Sequence, residues 1–240
     1  PPENLLRHPD VTSERDALRN ELREKLNVKY AKQRRKENTE ANSYVFDVAQ
    51  KLMDRTDVFD EDAFTAKDRE RYGTHDLGRH MLLGRRMLEE GVRFVKVNSY
   101  HWDSHGDNFN ASDSLVRKFD QPFAALIEDL ADRGMLDNVM VIAMSEFGRT
   151  PKINSHVGRD HWPEAWSVAM GGASLKKGIV HGKTNPLGTF VEDEEHDIGH
   201  LFHTWFKALG VTKEQMEYDN GGQPLPVAHD DCGPIAGLLA

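Results

Sequence analysis

The sequence predicts an α/β protein, a largely parallel sheet flanked by helices, with a helical segment at its amino-terminal end. Three observations predict it. The first third is charged and helix-favouring, with leucines four apart. After Gly91 the apolar spacing shortens to alternation in "VRFVKVNSY". "NVMVIAMSEF" is a near-continuous apolar run, the pattern of a strand buried on both faces. Strands that alternate with helices belong to a mostly parallel sheet covered by helices.

Each element follows in order. "PPENLLRHPDVT", with three prolines, reads as an irregular lead-in. Ser13 stands at a helix start with Asp16 three positions on, a relative of the capping box. The helix runs to about Arg35 with Leu18, Leu22 and Leu26 on one stripe. "KYAKQRRKENTE" continues it as a solvated, charged face. "SYVFDVAQKLMDR" has apolar residues at helical spacing, and "HDLGRHMLLGRRMLEEG" is an amphipathic helix closed by Gly91 at its C′ position. "VRKFDQPFAALIEDLADRGML" returns to helix, "WSVAMGG" and "GIVHGKT" are shorter strands, and "HDIGHLFHTWFKALG" is a last helix stopped by Gly210. No internal repeat or low-complexity tract interrupts the chain. The organisation expected is a helical lead-in over residues 1–44 and an α/β domain over residues 45–240.

Composition narrows the function. At 240 residues the chain can hold one large α/β domain or two small ones. With 38% hydrophobic and 30% charged residues it reads as a soluble globular protein. Thirty-one basic against 40 acidic residues give a net charge of −9, which argues against nucleic acid as partner, because phosphate neutralisation needs a basic face. No apolar run approaches the roughly 18 to 20 residues that cross a bilayer. The single cysteine, Cys232, excludes an internal disulfide. The chain begins at Pro1 with no signal-peptide pattern, so it is expected to be processed, trimmed or part of something longer.

Ligands of open α/β sheets collect beyond the carboxyl ends of the strands, and three polar clusters are expected there. "HWDSHGD" follows the strand ending near Tyr100. If the chain stays extended, His101, Asp103 and His105 project to one side, and Gly106 permits a turn before Asp107. Imidazole nitrogens and carboxylate oxygens that converge suit a divalent metal such as zinc or manganese. The competing reading packs His101 and Trp102 and uses the remainder to cap the next helix. "SEFGRT" puts Glu146 at the tip of an apolar strand, where a carboxylate needs a cation or strong donors. A metal would serve, and so would a structural pair with Arg149. The guanidinium of Arg149 could instead hold a phosphate or sulfate group. "GRDHW" supplies Arg159, Asp160 and His161, with His161 as ligand and Asp160 as the group that orients it; a satisfied loop histidine is the alternative. His196, Asp197, His200 and His203 make no H-E-x-x-H motif. Asp197 reads as a helix-start carboxylate that could face the site, and His200 and His203 as ordinary residues of an amphipathic helix.

With those residues in view, the chain resembles a known bacterial family. "RYGTHDLGRHMLLGRRMLEEGVRFVKV", "WDSHGDNF", "LADRGMLDNVMVIAMSEFGRTPKIN" and "GRDHWPEAWSVAMGGASLKKGIVHGKT" stand in the order found in the family termed domain of unknown function 1501. That family is similar in fold to the alkaline phosphatase and sulfatase superfamily. The likeness covers most of the chain from about residue 45, and "SEFGRTP" and "GRDHWP" are its most specific stretches. It implies a metal-dependent hydrolase of phosphate or sulfate esters, acting on a small-molecule or glycan ester, in an exported or periplasmic protein. It implies divalent ions (zinc, manganese or calcium) held by Asp and His residues from several loops. By position Asp103 and His105 look like ligands of one metal, Glu146 like the carboxylate after a late strand, and His161 like the later histidine. Arg149 or Arg159 would offset charge on the ester oxygens in the transition state.

The sequence departs from the superfamily pattern in two places. Glu146–Phe147 stands where Asp-His is frequent, so one imidazole is missing. The first aspartate and the nucleophile segment are not recognisable in residues 1–40, as expected of the carboxy-terminal portion of a longer protein. Ser104, Ser145 and Thr150 are hydroxyls near the clusters, but none lies in a strand-to-helix turn. The alternative expectation is a non-catalytic exported binding or assembly protein that keeps the fold.

Overall fold

The computed structural model of the chain describes residues 5–32, 36–211, 217–219, 223–228 and 231–240. Residues 1–4 of the lead-in and residues 33–35 of the charged continuation lie outside them. Among the described residues the chain is a mixed α/β protein with six α-helices and short antiparallel strand pairs. The large parallel sheet expected from the sequence is not shown. By contact density it divides into two compact units, Pro1–Asp68 with Arg86–Val95, and Arg69–Arg85 with Lys96–Ala240.

The first unit is built on α1 (Ser13–Ala31) and α2 (Lys36–Asp54). Thr12, not Ser13, caps α1. Its backbone is extended (φ −67°, ψ 158°), as an N-cap requires, so its Oγ1 accepts from the Arg15 amide at 3.3 Å. Glu14 and Asp16 then offset the positive end of the helix. The leucine stripe is open: Leu18, Leu22 and Leu26 are each 57–64% exposed. The two helices meet through polar contacts. Asn20 donates to Gln50 at 3.2 Å, Asn27 to Ser43 at 3.0 Å, and the Arg23 guanidinium lies 4.4 Å from the Phe46 ring centroid.

The second unit holds the densest packing. The helices α3 (Ala66–Tyr72), α4 (Asp76–Glu89) and α5 (Asn108–Asp132) supply Tyr72, Leu82, Pro122 and Leu130, all nearly inaccessible to solvent. Asp129 on α5, 4% exposed, gathers a polar knot within this core. The Tyr72 hydroxyl donates to it at 3.0 Å, Arg71 at 3.3 Å and Arg133 at 3.0 Å, and Arg85 Nε forms an ion pair with it at 3.0 Å. A buried carboxylate needs several such partners, because an unpaired one is costly. Burial raises the Tyr72 phenol well above its ordinary value, and the carboxylate beside it adds to the effect. For the Asp129 carboxyl, burial acts upward but is outweighed by the hydrogen bonds from Arg133 and Tyr72, and the group titrates below its ordinary value.

The strands are shorter than the sequence suggests. β1 (Met140–Ala143) pairs antiparallel with β4 (Ala169–Gly172), Met140 opposite Gly172 and Ala143 opposite Ala169. β1 is half-buried along its length, so the apolar run is not a strand enclosed on both faces. β2 (Gly148–Arg149) pairs with β3 (His161–Trp162), β5 (Lys183–Thr184) with β6 (Val191–Asp193), and β7 (Glu217–Asp219) with β8 (Pro224–Pro226), all antiparallel. "VRFVKVNSY" has no ladder: alternation makes a strand only where a second strand accepts its hydrogen bonds, and Phe94 stands 82% exposed. "GIVHGKT" is strand only at its last two residues. The helix α6 (Ile198–Ala208) closes the series, and Gly210 (φ +78°) stops it as the sequence predicts. Gly91 (φ +85°) does the same after α4. Among the described residues no helix is long and apolar enough to cross a membrane.

Candidate functional site

The short β2–β3 ladder places Arg149 directly opposite His161, so the two side chains stand on one face of the hairpin. Its connecting loop, residues 150–160, is closed at the base. Thr150 N donates to Asp160 O at 2.9 Å, and Thr150 Oγ1 accepts from Asp160 N at 3.0 Å. Arg159 Nη1 donates to the carbonyls of Thr150 (2.6 Å) and Pro151 (2.8 Å). Asn154 shapes the tip: its Oδ1 accepts from the amides of His156 and Gly158, both at 2.9 Å, a side chain substituting for backbone in a turn.

The "WDSHGD" segment docks along this loop. Ser104 O accepts from Arg159 N at 3.2 Å, Asp107 N donates to His156 O at 3.1 Å, and Asn108 N donates to Val157 O at 2.9 Å. Asn154 Nδ2 donates to His105 O at 3.0 Å. The approach is so close that a Cβ on Gly158 would lie 1.9 Å from His105 O and 2.4 Å from Gly106 N.

These contacts bring Asp103, His105 and His161 together. His161 Nε2 lies 2.9 Å and His105 Nε2 3.0 Å from Asp103 Oδ1, and the two imidazole nitrogens are 3.2 Å apart. Four ligands about 2.1 Å from a tetrahedral ion stand about 3.4 Å from one another, close to these separations. Asp160 Oδ1 sits 2.9 Å from His105 Nδ1 and also accepts from Asn154 Nδ2 at 3.1 Å. A carboxylate at Nδ1 places the ring proton there, and a neutral His105 then turns the lone pair of Nε2 toward the Asp103 oxygen. The Asp103 oxygen and the His105 nitrogen are then two acceptors 3.0 Å apart, a gap that the His161 Nε2 proton or a metal ion can bridge. That is the donor set and the polarity a divalent metal needs.

Arg149 Nη2 donates to the same Asp103 oxygen at 2.5 Å. The hydrogen bond from His161 and the one from Arg149 hold the Asp103 carboxyl at about 2, and His105 followed by Asn154 lowers Asp160. Phe147 covers His161 with ring centroids 4.2 Å apart. Asp103, His105 and His161 are all exposed, which leaves one side of the cluster open.

The sequence-predicted residues divide accordingly. Asp103, His105 and His161 converge. Asp160 is beside them as an orienter, but of His105 rather than of His161. The route differs from the extended strand expected: His101 has φ +73°, and Ser104 N and His105 N bond to the carbonyls of Trp102 and Asp103, so tight turns replace alternation. His101 is therefore not in the group. Asp107 precedes α5 with a left-handed backbone (φ +46°), makes no capping bond to the helix amides, and accepts instead from the Asn110 side chain at 2.8 Å. Glu146 is exposed and outside the cluster, because the chain bends after β1 and it is Arg149, not Glu146, that reaches Asp103. Arg159 uses Nη1 on loop carbonyls. Asp197 caps α6, accepting from His200 N at 3.2 Å. Sequence reasoning passed over Asn154 and Gly158. The N-S-H-V-G spacing is a turn signal that could have marked both.

A family model described as protein of unknown function (DUF1501) matches residues 1–239. No curated protein and no solved structure matches the chain.

Proposed function

The chain belongs to that DUF1501 family, and from its own residues we propose that it is a metal-dependent hydrolase of phosphate or sulfate esters. One observation carries the reading: three donor atoms from separate segments, Asp103 Oδ1, His105 Nε2 and His161 Nε2, meet with the tautomer of His105 set by Asp160. Two imidazoles and one carboxylate favour zinc or manganese over calcium, which takes six to eight oxygens. Three protein ligands with an open side is the pattern of a catalytic rather than a closed structural site. Bound there, the ion would supply Lewis acidity toward an ester oxygen and a water of lowered pKa.

The surrounding residues have separate tasks in this reading. Asp160 and Asn154 hold His105 in one orientation. Arg149, beside Asp103 and opposite His161, offers a planar fork to the oxygens of a tetrahedral anion. The nearby hydroxyls are engaged: Ser104 Oγ donates to Asn108 Oδ1 at 2.7 Å, Ser145 Oγ to Phe147 O at 2.7 Å and Thr150 Oγ1 to Lys152 O at 2.9 Å. Water is accordingly the nucleophile proposed. A sulfatase-like ancestry and an exported location belong to the proposal and rest on "SEFGRTP" and "GRDHWP".

A second reading has an observation of its own. Asp103 is already neutralised by Arg149 and two imidazoles, a network that one proton completes without any ion. It would fit a non-catalytic binding or assembly protein. Metal analysis separates the two, with each variant checked for folding by circular dichroism. The hydrolase reading expects zinc or manganese to bind, His161→Ala to weaken that binding at least about tenfold, and an aryl phosphate or sulfate to be turned over by the metal-loaded protein but not by the variant. Metal uptake without turnover would support the binding protein. No uptake that depends on His161 would sink the metal site altogether.

A further inference from the structure

A second group of metal-type donors lies at the start of α6, away from the residues given a role above. Asp197 Oδ1 is 2.9 Å from His200 Nδ1 and 3.4 Å from Cys232 Sγ, and the three donor atoms all fall within 4.8 Å of one another. Asp197 caps α6 and His200 lies in its first turn, whereas Cys232 arrives from 35 positions along the chain. The space for the thiol is made by a missing side chain. A Cβ on Gly199 would lie 2.6 Å from Cys232 Sγ and 3.1 Å from Asp197 Oδ1.

We propose that Asp197, His200 and Cys232 form a second cation site, for zinc or a comparably soft divalent ion, beside a largely apolar pocket. The mixture of one sulfur, one imidazole nitrogen and one carboxylate oxygen selects zinc among common divalent ions, and magnesium and calcium are excluded by the thiol and the ring. On binding, the sulfur–metal bond forms as the thiol proton leaves to solvent. The amino-terminal end of α6 disfavours a cation, but thiolate and carboxylate together bring two negative charges to it. Gly199 also lines an open, largely apolar pocket of about 680 Å³ with Ile198, Phe202, Pro226, Val227 and Ala228, and with Asp231 as its one carboxylate. With three protein ligands the ion keeps a position for an outside donor, and the pocket would hold the apolar part of the molecule that carries it.

Cys232 is the chain's one sulfur nucleophile, and the Asp103 cluster contains no sulfur. Cobalt(II) titration of the intact chain therefore reads this site alone, through a thiolate-to-metal charge-transfer band in the near ultraviolet. The band should saturate, be displaced by zinc, and disappear in Cys232→Ser, and in His161→Ala it should be complete near one equivalent. His200→Asn should weaken cobalt binding at least about tenfold. Asp197→Asn, which keeps the helix cap, should do the same. His161→Ala should leave the band intact, so failure of the first site does not remove the second. Zinc should also slow the reaction of the Cys232 thiol with a disulfide reagent. Absence of the band in the folded wild-type protein, or a band unchanged in both His200→Asn and Asp197→Asn, would overturn the proposal.

Discussion

Asp129→Ala is expected to lower the unfolding free energy by about 3–5 kcal/mol, the cost of stripping one partner from a buried ionic group. Arg85 and the Tyr72 hydroxyl face this carboxylate from the core and would be left without it. Urea unfolding followed by circular dichroism checks the value. Asp113→Ala removes a carboxylate from the exposed pair with Arg117 and should leave the midpoint nearly unchanged. The loss has a pH signature. Asp129 titrates below its ordinary value in the folded chain, so its contribution is complete above the unfolded pKa of about 3.9. It is lost as pH falls from there through the depressed folded value. The gap between wild type and variant should thus hold at pH 7 and narrow below about pH 4. An equal gap at acid and neutral pH would mean that the carboxylate's charge is not what stabilises the knot.

Gly158→Ala should damage the candidate metal site more than any other single-methyl addition to the second unit's loops. The new Cβ would meet His105 O at 1.9 Å and Gly106 N at 2.4 Å, both backbone atoms that no rotamer change can move. To admit it, the 104–108 segment must separate from the 150–160 loop, which carries His105 away from His161 and Asp160. Overpacking of this kind costs about 1–3 kcal/mol in stability, and ligands displaced by an ångström lose about 100-fold in function. Gly171→Ala is the control, because a Cβ there meets nothing within 4 Å. Zinc or manganese affinity measured by calorimetry should fall in the first variant and hold in the second. Retention of wild-type affinity in folded Gly158→Ala would show that the two segments do not need this contact to build the site.

The donors of the site were legible as residue types. "WDSH" and "RDHW" announce carboxylate and imidazole at spacings that rarely serve a bland loop, and Asp103, His105 and His161 do meet. Glu146 shows where such reading fails. Its place at the end of an apolar run suggested a buried tip, yet β1 stops at Ala143, and the residue that turns inward is Arg149. The exchange of roles around Asp160 has the same origin. In sequence Asp160 adjoins His161, but Asp160 lies in the loop just before β3 and its carboxylate reaches the Nδ1 of His105, 55 positions away, while His161 meets the Nε2 of the same ring.

Local chemistry written into the chain determined the helices other than α3, their glycine stops at Gly91 and Gly210, and the kind of donors available. Those are matters of spacing within a turn or two, and apolar period, capping and positive-φ preference act over that range. Tertiary structure alone decided which strands found partners, in what direction, and which donors share a site. A ladder or a coordination group exists only when distant segments satisfy each other's hydrogen bonds and charges, and no stretch of sequence read alone contains its partner. "VRFVKVNSY" alternates like a strand and remains without one, whereas Gly158, silent in any motif, is the point on which the two halves of the site close.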